Sequence, residues 1–234
     1  MIEGYFTRIE DGNEVLIEHV ALPESPKGYK TLFNIFIKIT NPEDEKFSKL
    51  KEALILAVEY NDSACYVGSR FVDGWYELYF YARDSKGLNT TASDILKESG
   101  YAYESGVVKD PKWNFYYKSL EPKPLELIDL QSKQIIAMLE NEGDNIEESR
   151  EVEHYLFFST PSQKERFIKE LETNETFSFL DEIENDSFEN GIAVVTNHNV
   201  TFNEVQKITH TLYDLVSKEH GFYEGWSTTL CCED

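Results

Sequence analysis

The stretch EVEHYLFFSTPSQKERFIKEL, residues 151–171, contains a strand pattern followed directly by a helix start. Apolar residues and one histidine alternate with glutamates and aromatics along residues 151–158, which is typical of a strand with one buried face. Thr160 and Gln163 then have the spacing of a capping box, with Pro161 at the first helical position. The stretch therefore predicts a β-strand and an α-helix joined without a long loop.

The residues after this stretch complete a β-α-β-β-α-β order. Segments 176–183 and 191–198 predict a hairpin around Asn185 to Gly191. Thr201 and Glu204 predict another capping box, for a helix that ends at Gly221. The segment GFYEGWSTTL, residues 221–230, predicts the closing strand.

The first half of the chain has the same order. A strand pattern over residues 30–39 is followed by a predicted helix from Pro42 to Tyr60, capped by Asn41. The turn residues Asp73 and Gly74 divide the next two strand patterns into a hairpin. A second helix opens at Asn89 and stops at Gly100, and segments 101–109 and 113–120 are predicted strands, with an additional strand expected at each end of the unit.

The predicted fold class is α+β, with two ferredoxin-like β-α-β-β-α-β antiparallel sandwich domains joined by a helix. The domains are expected at residues 1–124 and 125–234. The connecting helix is predicted from Leu125 to Glu142, after the breakers Pro122 and Pro124.

Acidic charge is concentrated in the second domain. Residues 125–234 contain 24 Asp and Glu against 7 Lys and Arg, a net −17 of the chain's total of −22. A field of one sign steers basic proteins toward a surface and repels nucleic-acid phosphates. We therefore expect a basic protein surface as the partner and no direct binding of nucleic acid.

The sequence also predicts a cytoplasmic globular protein that does not enter a membrane. Its first residues lack a signal-peptide layout, and no apolar run approaches the ~18 residues that a membrane span requires. Cys65, Cys231 and Cys232 are too few and too badly spaced for a disulfide framework, so reduced thiols are expected.

Candidate catalytic and metal-binding residues are few. No hydrolase, nucleotide or metal motif occurs in the sequence. His154 and His198 are in phase with apolar strand neighbours, whereas Glu151 and Glu153 point to the opposite face, so one strand does not aim both sets at one ion. We expect no catalytic residue, metal or cofactor. The alternative is an enzyme or small-molecule sensor with a site in the groove between the domains.

The second domain carries a family resemblance. Its first strand and helix, its acidic hairpin and above all HGFYEGWST, residues 220–228, resemble the bacterial regulator of ribonuclease E activity B family. That family ends with a comparable Tyr-Asp-Gly-Trp-Gly motif; here Glu224 replaces the Asp and Ser227 the last Gly. The resemblance implies a small acidic ferredoxin-like domain that binds the ribonuclease, restrains its cleavage of RNA and is not an enzyme. The first domain more weakly resembles an uncharacterised bacterial family, through GWYELYFYAR at residues 74–83.

Eight residues form the predicted partner-binding set. Acids around the hairpin turn are expected to steer a basic partner, because rim charges act mainly on encounter. Strict alternation along the last strand places Trp226 in the core with Phe222 and Leu230, and Tyr223 on the other face as the better anchor. The set is Asp181, Glu182, Glu184, Asp186, Glu189, Tyr223, Glu224 and Trp226.

Overall fold

The computed structural model describes residues 2–21, 28–173, 177–185 and 188–231. The chain divides into two compact units, Met1–Glu126 and Leu127–Asp234. Each unit is built on one antiparallel sheet, so the predicted α+β class is confirmed.

The first unit has a six-stranded sheet in the order β1-β2-β4-β5-β3-β6. From β3 onward its elements follow the predicted β-α-β-β-α-β order, and the β1–β2 hairpin extends the sheet beside β4. Its elements are β1 Gly4–Glu10, β2 Asn13–His19, β3 Thr31–Lys38, α1 Glu45–Glu59, a 3-10 turn Tyr60–Asp62, β4 Ala64–Val72, β5 Trp75–Ala82, α2 Leu88–Leu96, β6 Tyr103–Lys109 and a π-helical turn Tyr116–Leu120.

Helices α1 and α2 cover one face of this sheet. Phe47 and Leu54 of α1 are buried against Ile35 and Phe80 of the strands. The predicted hairpin between β4 and β5 is confirmed: Asp73 and Gly74 both have positive φ, 51° and 74°, as a tight two-residue turn requires.

The prediction of a strand at residues 113–120 is wrong. This segment lies across the other face of the sheet, where the Trp113 ring stacks on Tyr81 at a centroid distance of 3.8 Å. Asp110 fixes the beginning of this segment on the sheet. Its carboxylate accepts hydrogen bonds from the Tyr81 hydroxyl at 2.6 Å and from the Phe115 N–H at 2.8 Å. Its aromatic residues pack over the sheet as a helical turn and do not alternate within it.

The second unit has a four-stranded sheet in the order β10-β7-β9-β8, with all neighbours antiparallel, which is the ferredoxin-like arrangement. Helix α3 precedes it and begins within the last residues of the first unit. The elements are α3 Pro124–Asn141, β7 Arg150–Phe158, α4 Pro161–Leu171, β8 Ser178–Asn185, β9 Phe188–His198, α5 Phe202–Lys218 and β10 Phe222–Thr228.

Of the three predicted helix starts with caps, one is confirmed. The Thr160 and Gln163 capping box is present, with both reciprocal hydrogen bonds formed. Helix α1 begins later than predicted, because Asp44 and not Asn41 accepts the first-turn N–H. The prediction of a capping box at α5 is wrong. The Thr201 side chain makes no capping hydrogen bond, and its hydroxyl donates to the Asn199 side chain at 2.6 Å.

A fragment spanning residues 125–234 is expected to unfold cooperatively by itself, because α3 and the second sheet share a core. Ile136 of α3 packs with Val152, Val205 and Trp226 in that core. A matched fragment, residues 143–234, lacks α3 and exposes this patch, so its midpoint of thermal unfolding should be lower. Circular dichroism during heating measures both. A non-cooperative transition in the longer fragment would contradict the predicted domain boundary.

Candidate partner-binding surface

The two faces of the second sheet differ in what covers them. Directly paired residues of antiparallel strands point to the same face, so the register assigns each side chain. Helices α4 and α5 cover one face, where Phe158 of β7 meets Phe167 of α4 at a ring distance of 5.2 Å. We call this the helix face. On the opposite face Glu151 is exposed, and Glu153 and Tyr155 are partly exposed.

A chain of hydrogen bonds among the side chains of Thr196, His154 and Tyr223, which we call the relay, is buried under the helix face. The Thr196 hydroxyl donates to the Val152 carbonyl at 3.5 Å and therefore accepts from Nε2 of His154 at 3.0 Å. Nδ1 of His154 then accepts from the Tyr223 hydroxyl at 2.9 Å. Burial lowers the pKa of His154 to about 3, with a smaller contribution from His198, and burial raises the pKa of Tyr223. The relay is thus neutral and fully satisfied, as a buried polar network must be.

A bulge in β10 changes where the predicted anchors lie. Tyr223 pairs with Leu156 and Gly225 with Tyr155, so Glu224 is an extra residue in the strand. The extra residue returns both Tyr223 and Trp226 to the helix face, where they are 4% and 5% exposed. The prediction of Tyr223 as a surface anchor is therefore wrong, because strict alternation does not hold across a bulge.

A hydrogen bond to the connecting helix α3 fixes the position of the Trp226 side chain. Its indole N–H donates to the Ser132 hydroxyl of α3 at 3.0 Å, and Ser132 is buried. Phe222, which was expected in the core beside Trp226, is 53% exposed on the opposite face. The Tyr-Glu-Gly-Trp segment therefore attaches α3 to the sheet.

Of the predicted acids, the three with described side chains lie on the two edge strands of the sheet. Asp181 and Glu182 are exposed on β8, where Glu182 pairs with Lys164 at 2.6 Å. Glu224 is exposed in the bulge of β10, the strand at the opposite edge. Asp186 and the side chains of Glu184 and Glu189 lie outside the described residues.

His198 does not join the relay. Its ring lies 6.1 Å from that of His154, and its Nδ1 donates to the Asn199 carbonyl at 2.6 Å. Within the described residues, no three His, Cys, Asp or Glu side chains come close enough together to hold a metal ion. None of the helices in that same part of the chain combines the length and apolar character needed to cross a membrane.

The first unit contains a polar cluster that the sequence patterns did not indicate. Glu18 accepts hydrogen bonds from Lys51 at 2.7 Å, Tyr66 at 2.6 Å and Ser69 at 2.7 Å. These bonds outweigh burial and lower the pKa of Glu18, and Lys51 keeps its charge because its pKa is raised. Its members come from β2, α1 and β4, so only the folded chain assembles the cluster.

Fold and surface together define a two-domain α+β protein with an acidic ferredoxin-like second unit. The Family of unknown function (DUF695) matches residues 4–120, half of the chain, and the chain belongs to that family. The model of Regulator of ribonuclease activity B matches residues 129–228. Both resemblances inferred from the sequence are therefore confirmed.

Comparison with individual proteins adds little. No curated protein matches the chain. Among solved structures, an unknown protein from Galdieria sulphuraria aligns over 83% of this chain and 96% of its own, at 10% identity and a TM-score of 0.24. A similarity this low supports no conclusion about fold or function.

Replacement Tyr223→Phe is expected to destabilise the protein by about 1–3 kcal/mol, because it leaves the buried Nδ1 of His154 without a donor. The matched control is Tyr155→Phe, since the Tyr155 hydroxyl lies on the opposite face and bonds there to Glu153 and Ser227. Urea unfolding of both variants measures the difference. Equal stability of the two variants would contradict the buried relay.

Proposed function

We propose that the protein is a non-enzymatic regulator that binds a ribonuclease through its second unit and reduces or redirects its cleavage of RNA. The observation that carries this proposal is the match of residues 129–228 to Regulator of ribonuclease activity B. The same unit holds most of the chain's excess negative charge.

Electrostatics supports a basic protein as the partner. A ribonuclease contacts RNA phosphates through Lys and Arg, and the resulting basic surface attracts an acidic domain. Exposed acids within about 8 Å, the Debye length at physiological salt, act together on such a surface. An acidic domain that occupies it excludes RNA by competition and needs neither a catalytic group nor a cofactor. The cytoplasmic location expected from the sequence is part of this proposal.

Different residues contribute to the proposed binding in different ways. We assign steering to the hairpin acids Asp181, Glu182, Glu184, Asp186 and Glu189 and to Glu224 on the other edge. Tyr223 and Trp226 support the binding surface from beneath, since both side chains are buried. Glu182 contributes less than its exposure suggests, because Lys164 already partly neutralises it.

The test is the association rate with a purified ribonuclease recovered by affinity from the source cell. Reversal of three acids, Asp181→Lys, Glu184→Lys and Glu189→Lys, should slow association on the order of tenfold at low salt and flatten its salt dependence. It should also weaken the protein's effect on RNA cleavage.

The matched control reverses three exposed acids of the first unit, Glu43→Lys, Glu52→Lys and Glu104→Lys, with the same change in net charge. This variant should keep most of the wild-type association rate. Equal slowing by both triple variants would show that net charge and not the second unit steers binding. If the unmodified protein leaves RNA cleavage unchanged at saturation, the proposed function is wrong.

A further inference from the structure

The face of the second sheet opposite α4 and α5 consists of cross-strand rows. We call it the open face and define it by the residues that the register places opposite the helix face. In order from β10 to β8, one row is Ser227, Glu153, Val195 and Ser178, the next is Gly225, Tyr155, Ala193 and Asp181, and the last is Phe222, Phe157, Gly191 and Ile183; Glu151 and Asn197 lie before the first row.

The open face is acidic at one end. Glu151 is fully exposed, and Glu153, two residues along the same strand, accepts the Tyr155 hydroxyl at 2.9 Å. The Tyr155 hydroxyl also lies 2.7 Å from Ser227 Oγ. Asp181, in the next row, adds an exposed carboxylate at the β8 edge. Within the described residues, no salt bridge neutralises any of these three carboxylates.

The other end of the open face is apolar. Phe222 is 53% exposed there, in one row with the Phe157 ring. Gly191 makes room for that ring, since a Cβ at this position would lie 2.5 Å from it. Ile183 completes the row and is partly exposed. Phe157 itself is only 2% exposed, so the accessible apolar side chains at this end are Phe222 and Ile183 at the two edges of the row.

We propose that the open face binds an amphipathic segment of the protein partner. In that complex, Lys or Arg side chains of the segment lie over Glu151, Glu153 and Asp181, and its apolar side chains lie over Phe222 and Ile183. This inference rests on the proposed function, and it names the surface and the chemistry of the segment that the surface accepts. The charge of the face selects a basic segment, and its apolar end selects a protein over a nucleic acid, whose phosphates the carboxylates repel.

The dimensions fit such a segment. Four residues separate Glu153 from Phe157 along β7, a distance of about 13 Å at the rise of a strand. A helix covers that distance in about nine residues, so a cation and an apolar anchor two to three turns apart reach both ends. The four strands give the face a width of about 14 Å, wide enough for one helix of about 10 Å diameter.

The experiment uses the full chain and a defined probe. The probe is a labelled 18-residue peptide with leucines at helical spacing on one side and lysines on the other. A second peptide has the same composition in shuffled order and no apolar side. Fluorescence anisotropy gives the dissociation constants, and amide chemical shifts of the ¹⁵N-labelled protein report the contact surface.

The expected result is that Glu151→Gln/Glu153→Gln and Phe222→Ala each raise the dissociation constant of the amphipathic peptide at least about fivefold. The control pair Glu165→Gln/Asp214→Asn removes two exposed carboxylates from α4 and α5 and should change it less than twofold. Shifts should concentrate at Val195, Ala193 and Gly191.

Three results would overturn the inference: equal weakening by both charge pairs, equal binding of the shuffled peptide, or shifts confined to the helices. Preferential binding of an 18-nucleotide RNA in the same assay would also overturn it, in favour of a nucleic-acid surface. None of these results depends on a ribonuclease, so failure of the open face is distinguishable from failure of the proposed function, which the cleavage assay tests.

Discussion

The extra residue Glu224 in β10 is the constraint on which the second unit depends. Without it, alternation would place Tyr223 and Trp226 on opposite faces of the sheet. With it, Tyr223 hydrogen-bonds to His154 and Trp226 to Ser132, so one side of the strand anchors both the sheet core and α3. Bulges bend a strand and redirect its side chains, and here the bulge also leaves Phe222 on the open face.

The two faces of this sheet differ in the charge that they carry. The helix face contains the Tyr223, His154 and Thr196 relay, which is neutral because burial holds the pKa of His154 at about 3. The open face carries Glu151 and Glu153, which stay in contact with water. This division avoids the cost of burying an unpaired charge, several kcal/mol per ion. It leaves the unit's negative field on the surface, where it can attract a partner.

Both units also contain a buried ion pair whose partners compensate each other. In the second unit, Arg150 and Asp144 lie 2.6 Å apart with 3% and 0% of their side chains exposed. In the first unit, Glu18 and Lys51 form an ion pair with 14–16% of their side chains exposed, and Tyr66 and Ser69 donate to the same carboxylate. The pair is compensated locally, so it presents little net charge to an approaching protein. The chain's excess negative charge lies in the second unit, to which the proposed function assigns partner binding.

Much of the fold could be predicted from local patterns. The alternation of β7, the Thr160 capping box and the Asp73-Gly74 turn depend on neighbouring residues alone, and the structure confirms all three. The bulge could not be predicted, because inserting one residue leaves the local composition of a strand unchanged and becomes visible only in its pairing. The prediction of a strand at residues 113–120 was wrong for a related reason. The aromatic residues of this segment suit a strand as well as they suit a turn packed over a sheet.

The same limit applies to the candidate surface. Alternation along β7 correctly put Glu151, Glu153 and Tyr155 on one face, but the sequence gives no sign of which face the helices leave uncovered. Sheet order and helix placement are properties of the assembled unit. They decide that these residues lie with Phe222 on one face of the sheet, opposite the helices.

Solvent exposure of Phe222 against Tyr223 tests the account most directly. Both rings can be followed by NMR in the full chain while a soluble, neutral gadolinium chelate is added. We predict that the Phe222 ring protons broaden strongly and that those of Tyr223 and the Trp226 indole are protected. Strong broadening of Tyr223 with protection of Phe222 would mean that the strand alternates without a bulge, and it would contradict both the buried relay and the open face.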